Sequence, residues 1–159
     1  MSLLPDSETS EPETAPASLY ARIGGRDALE AFVERFYAVM ASDPAVGRIW
    51  NWHAPDLAEL KEKLVAFLSG FAGGPPLYPQ RYGPPFMRAR HLKFRIGPEE
   101  RDMWLKCAVA ALNDAIADHR ARAEFGFRLA AFAEHMRNRD DDGARTGAAC
   151  GRAHVGAPI

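Results

Sequence analysis

Histidines are the residues of this 159-residue chain best suited to bind a metal or move a proton. There are five: His53, His91, His119, His135 and His154. His91 differs from the others, because residues 86–94 (F-M-R-A-R-H-L-K-F) surround it with apolar and basic side chains. A neutral imidazole in such a place is either a structural core histidine or a ligand of iron. The spacing of this segment alone leaves both interpretations open.

The other histidines have simpler interpretations. His119 is predicted to close the third long helix, where a cation suits the helix dipole, and His135 lies late in the last helix. His154 falls in the C-terminal tail. The chain has no H-x-x-x-H pair, C-x-x-C, P-loop or G-x-S-x-G motif, so zinc, phosphate-loop and serine-hydrolase chemistry have no support.

Composition excludes several other classes of protein. The formal net charge is -1 without a long basic block, which argues against a nucleic-acid surface or a polybasic membrane anchor. No apolar run approaches the roughly 18 residues of a spanning helix, and the N-terminus lacks the features of a secretory signal. Cys107 and Cys150 make no disulfide framework, which predicts a reducing cytoplasm.

One folded domain is predicted over residues 18–138. Residues 1–17 contain acids and prolines but no base, and residues 139–159 are polar and rich in glycine and alanine, so both are predicted to be disordered tails.

Helical periodicity runs through the predicted domain and favours an all-α fold. Four stripes of apolar residues each predict one long helix. The first three helices are expected to begin after Gly24-Gly25, after Pro55-Asp56 and after Gly97-Pro98, and the last stripe covers residues 125–136. Residues 73–85 hold many prolines and glycines and are predicted to lack regular structure, with a short helix following at 86–92. Irregular segments as long as residues 71–97 usually carry function.

Separated pieces of the chain occur in the order found in one protein family. They are Leu19-Tyr20 with Ile23-Gly24-Gly25; Arg35-Phe36-Tyr37 with Asp43-Pro44; Asp56-Leu57, Lys63-Leu64, Phe67-Leu68 and residues 73–78; Pro85, Arg88, Arg90-His91, Phe94 and Ile96; Arg101-Asp102 with Trp104-Leu105; and residues 135–138. Each piece is weak, but the ordered set is specific. By these pieces the chain resembles the group II truncated haemoglobins over residues 19–137.

This resemblance implies a two-over-two sandwich of helices around haem b, with His91 as the axial ligand of the iron. Because no C-x-x-C-H motif is present, the haem is expected to be non-covalent. Large apolar residues are expected to line the pocket: Leu64, Phe67, Met87 and Phe94. Three side chains are candidates to bind the propionates: Lys63, Arg90 and Tyr78.

On the distal side, the resemblance places Tyr37 over the iron and gives Trp104 as a donor to bound ligand, although periodicity alone makes both ordinary core aromatics. Leu60 aligns with a gate position and cannot donate. Counting back without a gap favours Trp52 as the further distal aromatic residue, whereas a small shift selects His53 or Trp50.

The function implied is reversible binding of dioxygen, and of CO and NO, at a histidine-ligated haem. The alternative is a haem enzyme that performs nitric oxide dioxygenation or peroxidase-like chemistry. Only His53 is placed to be the base that a peroxidase needs, and dioxygenation needs an electron donor such as a separate reductase. A third class is a haem-free helical interaction module.

Overall fold

The computed structural model describes residues 16–140, and within them the only regular structure is helical. Most of both predicted tails, with Cys150 and His154, lies outside the described residues. The helices are α1 (Leu19–Arg22), α2 (Gly25–Ser42), α3 (Gly47–Trp50), α4 (Ala58–Phe71), α5 (Leu77–Tyr82), α6 (Met87–His91), α7 (Pro98–Ala115) and α8 (His119–Met136), with a 3₁₀ turn at Pro44–Val46.

The four long helices predicted from periodicity are α2, α4, α7 and α8, and they surround the core. Helix α2 packs against both α7 and α4, and α7 also packs against α8. The apolar stripe of α2 is buried along its whole length: Leu29, Phe32, Val33, Phe36, Tyr37 and Met40. Burial of one such side chain contributes about 1.5–3 kcal/mol, so packing rather than helix propensity holds these helices in place.

The expectation that residues 73–85 lack regular structure is wrong in part, because α5 occupies Leu77–Tyr82. Pro79 falls in the first turn of α5, where a missing N–H costs no intrahelical hydrogen bond. Tyr78 is buried and the α5 helix packs on α4, so tertiary contacts outweigh the local proline content.

The interpretation of His119 is also wrong. Helix α7 ends at Ala115, and His119 is the first residue of α8 rather than the last of α7. Asp118 caps α8, since its Oδ1 accepts the backbone N–H groups of Arg120 and Ala121 at 2.8 and 3.0 Å.

Two short pieces were missing from the sequence prediction, namely α1 and the α3 turn. Helices of four residues leave too little periodicity to detect. No helix among residues 16–140 is both long enough and apolar enough to cross a bilayer.

Candidate functional site: an apolar cavity with two histidines

A cavity opens between the N-terminal half of α7, the C-terminal half of α8, and residues from α2, α3 and α6. It encloses about 550 Å³ of space, part of which is open to solvent. Its lining is mostly apolar and aromatic: Phe36, Tyr37, Ile49, Trp52, His53, His91, Ile96, Glu100, Arg101, Trp104, Phe132, Ala133 and Met136.

His91 is the last residue of α6 and is only 7% exposed. Its Nδ1 lies 2.6 Å from the carbonyl oxygen of Met87. Because a carbonyl can only accept, Nδ1 carries the proton and Nε2 keeps its lone pair for a ligand in the cavity. Burial lowers the pKa of His91, and the nearby positive charges of Lys93 and Arg90 act in the same direction, so the imidazole is neutral at pH 7.

The segment that carries His91 is tied to the end of α8. The amide of Asn138 donates to the carbonyls of His91 at 3.2 Å and Phe94 at 2.8 Å, and its oxygen accepts from the N–H of Ile96 at 3.1 Å. Arg88 donates to the carbonyls of His135 and Arg137. These bonds let a five-residue helix, too short to be stable alone, hold a fixed position.

Tyr37 lies in α2 and is 2% exposed. Its hydroxyl is buried without a hydrogen-bond partner among the described residues, and burial raises its pKa, so it stays a protonated donor. An unpaired buried hydroxyl costs about 1–3 kcal/mol. A hydroxyl left in this state beside a cavity is available to a ligand.

His53 follows α3 and is packed by aromatic rings. Its ring centroid is 5.5 Å from that of Tyr37 and 6.2 Å from that of Trp50. Its Nδ1 lies 2.9 Å from the carbonyl oxygen of Ile49, so Nε2 is again the nitrogen with a free lone pair. Burial lowers the pKa of His53, which keeps it neutral at pH 7.

The further aromatic residues predicted for the distal side are Trp104 and one of Trp52, His53 and Trp50. The structure brings both Trp52 and His53 to the cavity, whereas Trp50 is stacked behind His53 and does not line it. Trp52 is stacked on Phe94 with ring centroids 5.1 Å apart. Trp104 is half-buried and packs edge-on against Phe36 at 5.3 Å.

The apolar residues predicted to line the haem pocket do not line this cavity. They are Leu60, Leu64, Phe67, Met87 and Phe94. Leu60 and Leu64 are buried in the core between the long helices. Phe67 packs between Tyr78 and Phe132, with centroids 6.2 and 5.4 Å away. Met87, the first residue of α6, is buried in a small core cluster with Tyr78 and Met136. Their contact with a cofactor stays a prediction.

The three candidates for the propionates also lie off the cavity lining. Lys63 forms an ion pair with Glu59 at 2.6 Å and lies over the ring of Tyr82. Arg90 donates to the carbonyl of Pro85 at 2.8 Å. Tyr78 is 1% exposed. Lys63 lies in α4 and Arg90 lies in α6, and their role in binding propionates stays a prediction.

The sequence analysis missed several lining residues: Phe36, Ile49, Ile96, Glu100, Arg101, Phe132, Ala133 and Met136. Phe36, Phe132 and Met136 stand on apolar stripes, but a stripe does not separate residues that face a cavity from residues that face another helix. Glu100 is 6% exposed, and nothing in its local sequence distinguishes it from the exposed Glu99.

Residues 16–140 combine a helical fold, a buried neutral histidine, an apolar cavity and a tyrosine hydroxyl without a partner among them, which fits a globin-type haem protein. The family model described as bacterial-like globin matches residues 18–138. The chain belongs to this family, and it is similar to group II truncated haemoglobins, as the sequence resemblance predicts.

Among curated proteins, the chain is 37% identical over 117 residues to group 2 truncated hemoglobin YjbI of Bacillus subtilis (strain 168), covering 74% of this chain and 86% of that protein. The solved group II 2-on-2 hemoglobin from Agrobacterium tumefaciens is 35% identical, with a TM-score of 0.74, covering 79% of this chain and 98% of that one. A truncated oxygen-avid haemoglobin from Bacillus subtilis is 37% identical, with a TM-score of 0.69, covering 77% and 100% of the two chains.

These comparisons confirm the predicted two-over-two fold and haem b as the cofactor. The residues present fit that group. The cavity is apolar enough for the porphyrin, His91 offers one unprotonated nitrogen, and Tyr37 offers one unpaired donor.

Proposed function

We propose that the chain binds dioxygen reversibly, and also CO and NO, with His91 as the axial ligand of the haem iron. His91 would hold the haem iron, and the haem would supply a metal centre able to bind a small diatomic molecule. The observation that carries the proposal is the unpaired hydroxyl of Tyr37, which borders the same cavity as the free Nε2 of His91.

The chain's own residues determine what such a site can do. Burial keeps His91 neutral, and its hydrogen bond to the carbonyl of Met87 fixes its tautomer. Tyr37 and the indole of Trp104 would supply O–H and N–H donors for a polar ligand in a cavity whose lining is mostly apolar. A donor to a partly charged acceptor contributes about 1.5–3 kcal/mol, or roughly ten- to a hundredfold in release rate. Such slow release suits sensing or redox chemistry better than delivery.

A second candidate function rests on His53. Its neutral imidazole has a free Nε2 and borders the cavity, as a base for peroxide chemistry must. A peroxidase-like reaction is therefore the better supported enzymatic alternative, whereas nitric oxide dioxygenation also requires an electron donor, which we propose is a separate reductase.

The two cysteines and the absence of a disulfide framework are consistent with a cytoplasmic location.

The test is optical titration of the purified, reduced protein with oxygen and carbon monoxide. A Soret band that shifts on addition of each gas and returns on its removal is the expected result. A protein purified from haem-sufficient cells without a Soret band, and unable to bind added haem, contradicts the proposal and favours a haem-free interaction module.

A further inference from the structure

Glu100 is an unusual residue to find in the lining of an apolar cavity. It lies in the first turn of α7 and is only 6% exposed. A buried carboxylate is costly unless it is paired and hydrogen-bonded. Here it is both, because Arg48 donates to Oε1 and the backbone N–H of Gly97 donates to Oε2 at 3.0 Å.

Arg48 comes from α3, a separate part of the chain. The same guanidinium nitrogen also donates to Glu99 at 2.8 Å, so one arginine joins α3 to the first turn of α7 through two carboxylates. Burial raises the pKa of Glu100, but Arg48 and the N–H of Gly97 outweigh it and leave the pKa below its ordinary value. The pair is therefore charged at neutral pH.

Helix α3 needs such a tie because four residues do not form a stable helix alone. Its carbonyl groups position the distal side chains that follow it. The carbonyl of Ile49 accepts from Nδ1 of His53 at 2.9 Å and from the N–H of Trp52 at 3.2 Å. Any movement of α3 thus moves His53 and Trp52.

Glu100, the partner of Arg48 in this ion pair, itself borders the cavity. Glu100 and Trp104 are one helical turn apart and both line the cavity. One ion pair therefore connects the segment that carries His53 to the helix that carries Trp104.

We propose that the Arg48–Glu100 ion pair is a positioning latch, which fixes His53 and Trp52 relative to Trp104 and so sets how fast small ligands enter and leave the cavity. Arg48 and Glu100 are positioning residues, since they act through the distal side chains. The part of the proposal that concerns ligand passage rests on the proposed function, whereas the part that concerns the position of α3 does not.

The experiment compares Arg48→Gln and Glu100→Gln with the parent protein in its haem-bound form. Arg35→Gln is the matched control, because it removes another arginine–carboxylate pair, to Asp114 on α7 at 2.6 Å, with both partners half-exposed and away from the cavity. Arg48→Lys is the conservative variant, since lysine keeps the positive charge but replaces the guanidinium with an ammonium group.

The first readout is amide hydrogen exchange at residues 51–53, whose N–H groups donate to the carbonyls of Gly47, Ile49 and Trp50. We expect faster exchange there in both variants, no change in Arg35→Gln and partial recovery in Arg48→Lys. The second readout is carbon monoxide recombination after photolysis together with the C–O stretching band. We expect several-fold faster bimolecular recombination and a shifted or broadened band, since the distal donors have moved.

Unchanged exchange at residues 51–53 in variants that retain haem overturns the latch. So does faster exchange spread evenly over all helices, because that result indicates general destabilisation. Faster local exchange with unchanged recombination and an unchanged C–O band overturns the link to ligand passage. If Arg48→Gln does not fold, Arg48→Lys and Glu100→Gln give the same comparison. A parent protein that binds no carbon monoxide refutes the proposed function, and the exchange readout still decides the position of α3.

Discussion

Nδ1 of His91 donates to the carbonyl oxygen of Met87 at 2.6 Å, within the five-residue helix α6. This bond fixes the tautomer of the imidazole and leaves Nε2 unprotonated in a buried position. The bond depends on residues 87–96, called here the proximal segment, keeping their shape. Hydrogen bonds from Arg88 to the end of α8 and from Asn138 to this segment maintain that shape.

Asn138 is the main contact of this kind, and Asn138→Ala tests its role. The change removes two donated bonds and one accepted bond around residues 91–96. We expect the protein to fold, with the proximal segment destabilised by about 1–3 kcal/mol. Transfer of haem to an excess of apomyoglobin measures the consequence, and release should be roughly fivefold faster or more. The exposed Asn113 on α7 provides the control Asn113→Ala, which should release haem at the parent rate. Equal rates for both variants contradict the role of Asn138.

Tyr37 and Trp104 are expected to act together as donors to the bound ligand. Tyr37→Phe and Trp104→Phe should each accelerate oxygen release roughly tenfold or more, because a charge-assisted hydrogen bond is lost. Carbon monoxide release should respond less, and the double variant should show a non-additive effect, since neighbours in one network share their energy.

Stopped-flow displacement of oxygen by carbon monoxide measures these rates. Tyr20→Phe is the control, because Tyr20 packs near Gly74 and does not line the cavity. Oxygen release that is the same in Tyr37→Phe, Trp104→Phe and Tyr20→Phe contradicts the distal assignment and makes Tyr37 and Trp104 ordinary core aromatics.

Much of the fold could be predicted from the sequence because the long helices bury continuous stripes. Leu29 through Met40 repeats its apolar positions without a gap, and tertiary packing then reinforces what local spacing suggests. Helix α5 could not be predicted in this way, since its stability comes from burial of Tyr78 against α4 rather than from a local pattern.

Only some of the residues that line the cavity could be predicted from the sequence. His91, Tyr37, Trp52, His53 and Trp104 were selected with the help of a family resemblance, and all five line the cavity. Glu100 was missed because its partner Arg48 is 52 residues away in the sequence, and no periodic rule links positions at that distance. Its function depends on a tertiary contact, which only the structure displays.

His53→Leu separates the oxygen-binding protein from the peroxidase. If His53 carries a proton between peroxide oxygens, peroxide-dependent oxidation of a phenolic dye should fall roughly a hundredfold or more in this variant, while oxygen affinity changes little. His119→Leu, an exposed histidine at the start of α8, is the control for loss of an imidazole. Equal peroxide turnover in the parent and both variants contradicts a catalytic role for His53 and leaves ligand binding as the function.

The most direct test of the central claim is the absorption spectrum of His91→Gly, recorded in the reduced state with and without added imidazole. The account predicts that the variant loses haem, or binds it with an altered spectrum, and that imidazole restores the parent spectrum by occupying the space of the missing side chain. His135→Ala, which removes an exposed histidine, should leave the spectrum unchanged. Full haem retention by His91→Gly, with a ferrous spectrum identical to the parent in the absence of imidazole, contradicts His91 as the iron ligand.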